Sequence, residues 1–213
     1  MTRLVLIAAL AAALLCGASA NSAVAKKHRA CPRHGGHTVL RTSSARVWYT
    51  GLPAEGATYY GCLGSARRVR KLVETQECFH QCDLVRTIRL NGRYVAWVLD
   101  TSFSYGGGVP STVKQSVQVY DLKAGKRVTD ALVYSSSSDH SAGPTIGAPV
   151  ASLLLASTGH AAALLGSSGN YTLEAVVTPP TILDRGAIDP ASLKLSAGVL
   201  SWTNGGTQHS QPL

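Results

Sequence analysis

The stretch ETQECFHQCDL sets Cys78 and Cys82 around His80, and HRACPRHGGH upstream supplies Cys31, His34 and His37. Thiolates and imidazoles at such spacing can hold zinc, cycle as a redox pair, or close as disulfides. A zinc site would draw its ligands from Cys31, His34, His37, Cys62, Cys78 or Cys82, but the chain lacks the paired C-x₂-C knuckles that make such sites recognisable. A thioredoxin-like pair keeps two residues between its sulfurs, whereas Cys78 and Cys82 keep three.

Other chemistry is sparse. The chain has no G-x-S-x-G elbow, no H-E-x-x-H, no phosphate-binding glycine loop and no D-x-D-x-D calcium loop. Its eleven acids are scattered singly, so no pair of carboxylates for glycosidic cleavage can be nominated. Asp139-His140, beside Ser136, Ser138 and Ser141, has the residue types of a hydrolytic site. Adjacency in sequence is not triad geometry, however, and the stretch reads as a polar loop. His160, in an otherwise apolar run, reads as a histidine at the edge of a turn.

The compartment decides what the sulfurs do. MTRLVLIAALAAALLCGASA begins with Arg3, runs apolar from Leu4 to Leu15 and ends in small residues, the pattern of a secretory signal peptide. Cleavage fits after Ala20, with an alternative after Ala25, and Cys16 leaves with the signal. Beyond it no apolar stretch reaches membrane-spanning length, so no transmembrane span is expected after signal removal. A secreted, extracytoplasmic chain keeps Cys31, Cys62, Cys78 and Cys82, and an even set outside the reducing cytosol reads as disulfides. Of the three connectivities possible for four cysteines, Cys31–Cys62 with Cys78–Cys82 is preferred. The second pair needs little chain closure, and the first ties a loose N-terminal arm to the first hairpin. The chain therefore divides into the signal at 1–20, a basic arm at 21–37 and one domain at 38–213.

The formal charge of +9 is unevenly placed: fourteen Lys and Arg face five acids up to Asp100, and six face six beyond it. In RRVRK a strand would turn Arg68 and Arg70 to one face and Val69 and Lys71 to the other. Arg67, Arg68, Arg70 and Lys71 thus form a candidate surface for an anionic envelope polymer; the competing reading is an ordinary solvated strand. Export removes nucleic acid as a partner, and aromatics for base stacking are few.

Positioning these residues falls to β-strands. Apolar content of 45% with 15% charge argues for a packed core, and the 21 glycines favour a loop-rich β protein. Short alternating runs bounded by Gly, Ser, Asn and Pro dominate. Four look like one hairpin repeated: TVLRTSSARVWYTG, VRTIRLNGRYVAWVLD, ASLLLASTGHAAALLG and ASLKLSAGVLSWTNGG. Asn91-Gly92 is expected to make the second turn. Further strand pairs fall between the copies, in ATYYGCLGSARRVRKL, QSVQVYDLKAGKRVTD and NYTLEAVVTPPTILDRG, and TQHSQPL closes the chain with a single strand. Trp48, Trp97 and Trp202 recur at one place in the repeat and read as core packing rather than as a carbohydrate platform. The spacing predicts an all-β fold: a small β-propeller-like repeat of about four four-stranded units, with a two-sheet β-sandwich as the alternative. The unfinished last unit suggests that the two chain ends complete one blade together.

SVQVYDLKAGKRV resembles the V-x-V-x-D-L-x-x-G-K blade strand of TolB-like and quinoprotein-like propellers, and YVAWV is similar to their inner strands. With RVWY, YGCL and SLKLSAGVLSWTNGG, the layout resembles small exported propeller-like proteins of high-GC actinobacteria. The resemblance implies a fold and no active site, for the calcium and quinone ligands of enzymatic propellers are missing. No cofactor is expected. The function that follows is an exported, non-catalytic β module binding or scaffolding at the cell envelope, where an envelope polymer or protein would be the partner. The alternative is an envelope hydrolase whose site joins His140 or His160 to an acid and a serine.

Overall fold

A computed structural model of the chain describes residue 31 and residues 35–53, 55–66, 68–76, 81–103, 112–137 and 147–213. The signal segment, His34, Arg67, Cys78, His80 and the Asp139-His140 pair lie outside them. The described residues are nearly all β. Regular helix among them is confined to the 3-10 turn Pro190–Ser192, where the Asp189 carboxylate accepts from the backbone N–H of Ala191 at 2.9 Å.

Four antiparallel sheets follow one another along the chain, each a simple meander. The first holds β1 (His37–Arg41), β2 (Ala45–Leu52), β3 (Gly56–Leu63) and β4 (Arg68–Glu74). The second holds β5 (Gln81–Asn91), β6 (Tyr94–Phe103), β7 (Thr112–Asp121) and β8 (Lys126–Ser137). The third holds β9 (Val150–Leu155), β10 (Ala161–Ser167), β11 (Asn170–Ala175) and β12 (Thr181–Gly186). The last has only β13 (Lys194–Ser196), β14 (Val199–Asn204) and β15 (Thr207–Pro212). All four repeated hairpins are present, and the architecture is four sheets in series rather than the two of a sandwich.

Two expectations change in detail. The β5–β6 turn consists of Gly92 (φ +60°) and Arg93, with Asn91 paired to Tyr94, so it lies one residue later than an Asn-Gly turn would. Asn91 is needed elsewhere: its Nδ2 donates to the Leu155 carbonyl at 2.9 Å, and Arg89 Nε donates to the Leu153 carbonyl at 3.1 Å. These side chains cap the free edge of β9 and join the second sheet to the third. Among the described residues, the first and last strands also do not share a sheet. β1 pairs with β2 inside the first sheet, and the last sheet takes all three strands from the C-terminal stretch.

Each pair of consecutive sheets encloses its own apolar cluster. β6 and β10 are therefore covered on both faces, and Tyr94–Val98 and Ala161–Leu165 are buried without interruption. That is why YVAWV and AAALL are continuous apolar runs instead of alternating ones. In β14, by contrast, Leu200 and Trp202 face the third sheet, while Val199, Ser201 and Thr203 point away from it. A strand covered on one face alternates, and this one does.

Candidate anion-binding seam

The first and second sheets meet around a glycine. A Cβ on Gly61 would lie 2.4 Å from Leu122 Cδ2, so the fully buried Leu122 plugs a notch that only glycine leaves open. Leu122 begins the β7–β8 turn, and its insertion brings Gly125 of that turn to the edge strand β4. There Arg70 lies against the turn: a Cβ on Gly125 would stand 2.5 Å from the Arg70 Cζ. Gly125 has φ +72°, the left-handed region, so both its conformation and its missing side chain are used. Arg68 shares the Arg70 face of β4, with Leu63 and Gly61 as their cross-strand partners. The contact of Arg70 with Gly125 thus brings β4, which carries Arg68 and Arg70, against the turn that carries Lys123 and Lys126.

The carboxylate at the base of this turn is already committed. Asp121 is buried, its Oδ1 accepts from the backbone N–H groups of Lys123 and Ala124 at 2.9 and 3.0 Å, and its Oδ2 lies 3.1 Å from Arg93. Those bonds fix the turn, since the aspartate replaces a backbone acceptor. Arg93 is held besides by the Tyr94 hydroxyl, which, ahead of Asp121, pushes its pKa further up. Arg70 Nε is buried with no hydrogen-bond partner. Arg68, Lys123 and Lys126 are exposed and take part in none of the ion pairs formed among the described residues. Lys71, the remaining described member of the sequence-based cluster, lies on the opposite face and pairs with Glu74. The sequence pointed to Arg68 and Arg70 but treated the C-terminal half as neutral. The signal for the other half of the seam was the pair of lysines around Gly125 in the DLKAGK turn.

Cys31 and Cys62 form a disulfide with a Cα–Cα distance of 5.8 Å. Cys82 is also disulfide-bonded, and its partner lies outside the described residues. Three thiolates that a zinc site would have drawn on are therefore oxidised. The Cys31 bridge lies on the outer face of the first sheet. There Arg46, itself buried, stands over the Trp48 ring at 5.0 Å and reaches the arm through Thr38 Oγ1 (2.9 Å) and the Gly36 carbonyl (3.4 Å). Trp48 stacks on Tyr60, Trp97 packs between the first two sheets, and Trp202 packs between the last two. All three indoles are buried, so they offer no stacking platform. His37 stacks on Tyr49.

Among the described residues, clefts open between the second and third sheets. One, of about 410 Å³, is lined by Tyr94, Thr129, Thr158, His160 and Thr178 among others, with no serine or carboxylate among its lining residues. His160 is at the edge of the β9–β10 turn, where the sequence put it. Another cleft is lined by Glu174. Where Trp202 meets the third sheet, Asp184 accepts from Trp202 Nε1 at 2.5 Å, from Asn204 Nδ2 at 3.0 Å and from its neighbour's N–H at 2.7 Å. Burial raises the Asp184 pKa, but these bonds and the nearby His209 outweigh it and leave the group below its ordinary value.

Among the described residues no helix is long and apolar enough to cross a membrane, and no group of His, Cys, Asp and Glu could hold a metal ion. Compared with known proteins, the chain matches no family model and no curated sequence.

Proposed function

We propose that the chain is an exported, non-catalytic β-repeat module that holds an anionic polymer of the cell envelope along the seam between its first two sheets. The observation that carries this reading is the packing of Arg70, with Arg68 on the same face of β4, against the turn of Lys123 and Lys126, whose carboxylate Asp121 is already consumed by the fold. Like charges brought onto one surface repel each other, and a bound polyanion relieves that repulsion while releasing its own counterions. The disulfides support export, because such bonds persist outside the reducing cytosol. The signal pattern and the resemblance to small exported propeller-like proteins point the same way.

The test is a titration of labelled inorganic polyphosphate with the intact protein and two double variants. Arg68→Glu with Lys123→Glu reverses the seam, and Lys114→Glu with Lys194→Glu changes net charge equally elsewhere. The seam variant is expected to bind about tenfold more weakly or worse, the control nearly as wild type. Equal losses in both would reduce the seam to a contributor of net charge.

A further inference from the structure

The second cleft lies between β8 of the second sheet and β11–β12 of the third and encloses about 280 Å³. Leu132, Val133, Leu165, Pro180 and Ile182 give it apolar walls, and Thr172 adds a hydroxyl. Into it faces Glu174 of β11, between Leu173 and Ala175 in the strand, only 9% exposed, whose Oε2 has no hydrogen-bond partner. Burial pushes its pKa up, and Arg185 draws it partly back. A carboxylate taken out of water without a donor is costly to the fold, which marks the position as one awaiting a donor.

Arg185 lines the same cleft. It pairs across the strands with Thr172, two residues from Glu174 on the same face of β11, while Glu174 itself pairs with Ile182. The acid and the guanidinium are thus diagonal neighbours, about 7–8 Å apart at their origins, and they form no ion pair with each other. One charge of each sign with an apolar wall between them is complementary to a small zwitterion with an apolar tail. The volume falls just below the range typical of drug-sized ligands, which suits a single amino acid.

We propose that this cleft binds a free α-amino acid with an apolar side chain: Glu174 receives the ammonium, Arg185 the carboxylate, and Leu132, Pro180 and Ile182 the side chain. The site is separate from the polyanion seam, and neither assignment depends on the other.

The experiment is a two-dimensional amide NMR titration of the intact, oxidised protein with leucine, with its half-ligands isoamylamine and isocaproate, and with N-acetyl-leucine amide. Leucine is expected to shift resonances of β8, β11 and β12, and each half-ligand to bind about tenfold more weakly or worse, having lost one charge-assisted contact. Glu174→Gln and Arg185→Gln should each weaken leucine by a similar factor while leaving isocaproate and isoamylamine, respectively, unchanged. The half-ligand comparison in the wild type stands even if a variant fails to fold. Isoamylamine binding as tightly as leucine would overturn the assignment, because Arg185 would then contribute nothing. So would the absence of any cleft shift at about 10 mM leucine, a concentration that would fill a site of roughly millimolar Kd.

Discussion

The Cys31–Cys62 bridge anchors the arm that covers Trp48, and its removal has a calculable cost. The bridge closes a loop with a sequence separation of 31 residues. Chain-entropy bookkeeping gives about 3 kcal/mol for a 15-residue loop and about 4.7 kcal/mol for a 100-residue loop, which puts this one near 4 kcal/mol. Cys31→Ala is the cleaner variant, because Cys62 is fully buried and a free thiol packs there as a small apolar group. In urea, with a slope of roughly 2 kcal/mol per molar, the unfolding midpoint should fall by about 2 M. Before global unfolding, the freed arm should also loosen the Arg46 bonds to Gly36 and Thr38, exposing Trp48 and shifting tryptophan emission to the red. A midpoint drop worth less than about 1 kcal/mol would refute the claim that the bridge clamps the arm, since the unfolded chain would then gain little freedom from its loss.

Asp184→Ala removes the acceptor shared by Trp202 and Asn204 and should cost about 3 kcal/mol, read as early loss of amide protection in β13–β15 by hydrogen exchange. The two shifted carboxylates should act oppositely with pH. Asp184 sits below its ordinary value, so its contribution is present above about pH 4 and disappears as pH falls through the folded value. Glu174 sits above its ordinary value, so the folded state binds that proton more tightly. Wild type should lose stability relative to Glu174→Gln as pH rises from about 4.3 through the raised value, and a flat difference in denaturation free energy would contradict this. Gly61→Ala forces a methyl group against Leu122 and should cost about 1–3 kcal/mol in thermal or urea unfolding; by unseating the β7–β8 turn it should also weaken polyphosphate binding.

Strand positions were legible wherever turn chemistry and burial speak locally. Ala197-Gly198, both at positive φ, closes the β13–β14 turn where SAGV marked it. The continuous runs YVAWV and AAALL against the alternating VLSWTN record which sheets are covered twice and which once. What failed was non-local. A three-stranded remnant invited the idea of a blade shared by the chain ends, yet hairpin pairing within each sheet satisfied β1 and β15 first. The Asn91 offset arose because its amide was needed by a carbonyl of the next sheet, 64 residues away. Arg70 meets Gly125 where Leu122 fills the notch at Gly61, a tertiary fit that no window of sequence contains. Glu174 looked like one of several scattered acids, and its meaning comes from burial.

The most direct test of the central claim is the salt dependence of polyphosphate binding. If the four seam cations each displace a condensed counterion, log K against log salt should fall with a slope of roughly −3, as for a single-stranded polyanion meeting four charges. Arg68→Gln and Lys123→Gln should each flatten the slope by about 0.7. A slope that both variants leave unchanged, or no binding at low salt, would contradict the account.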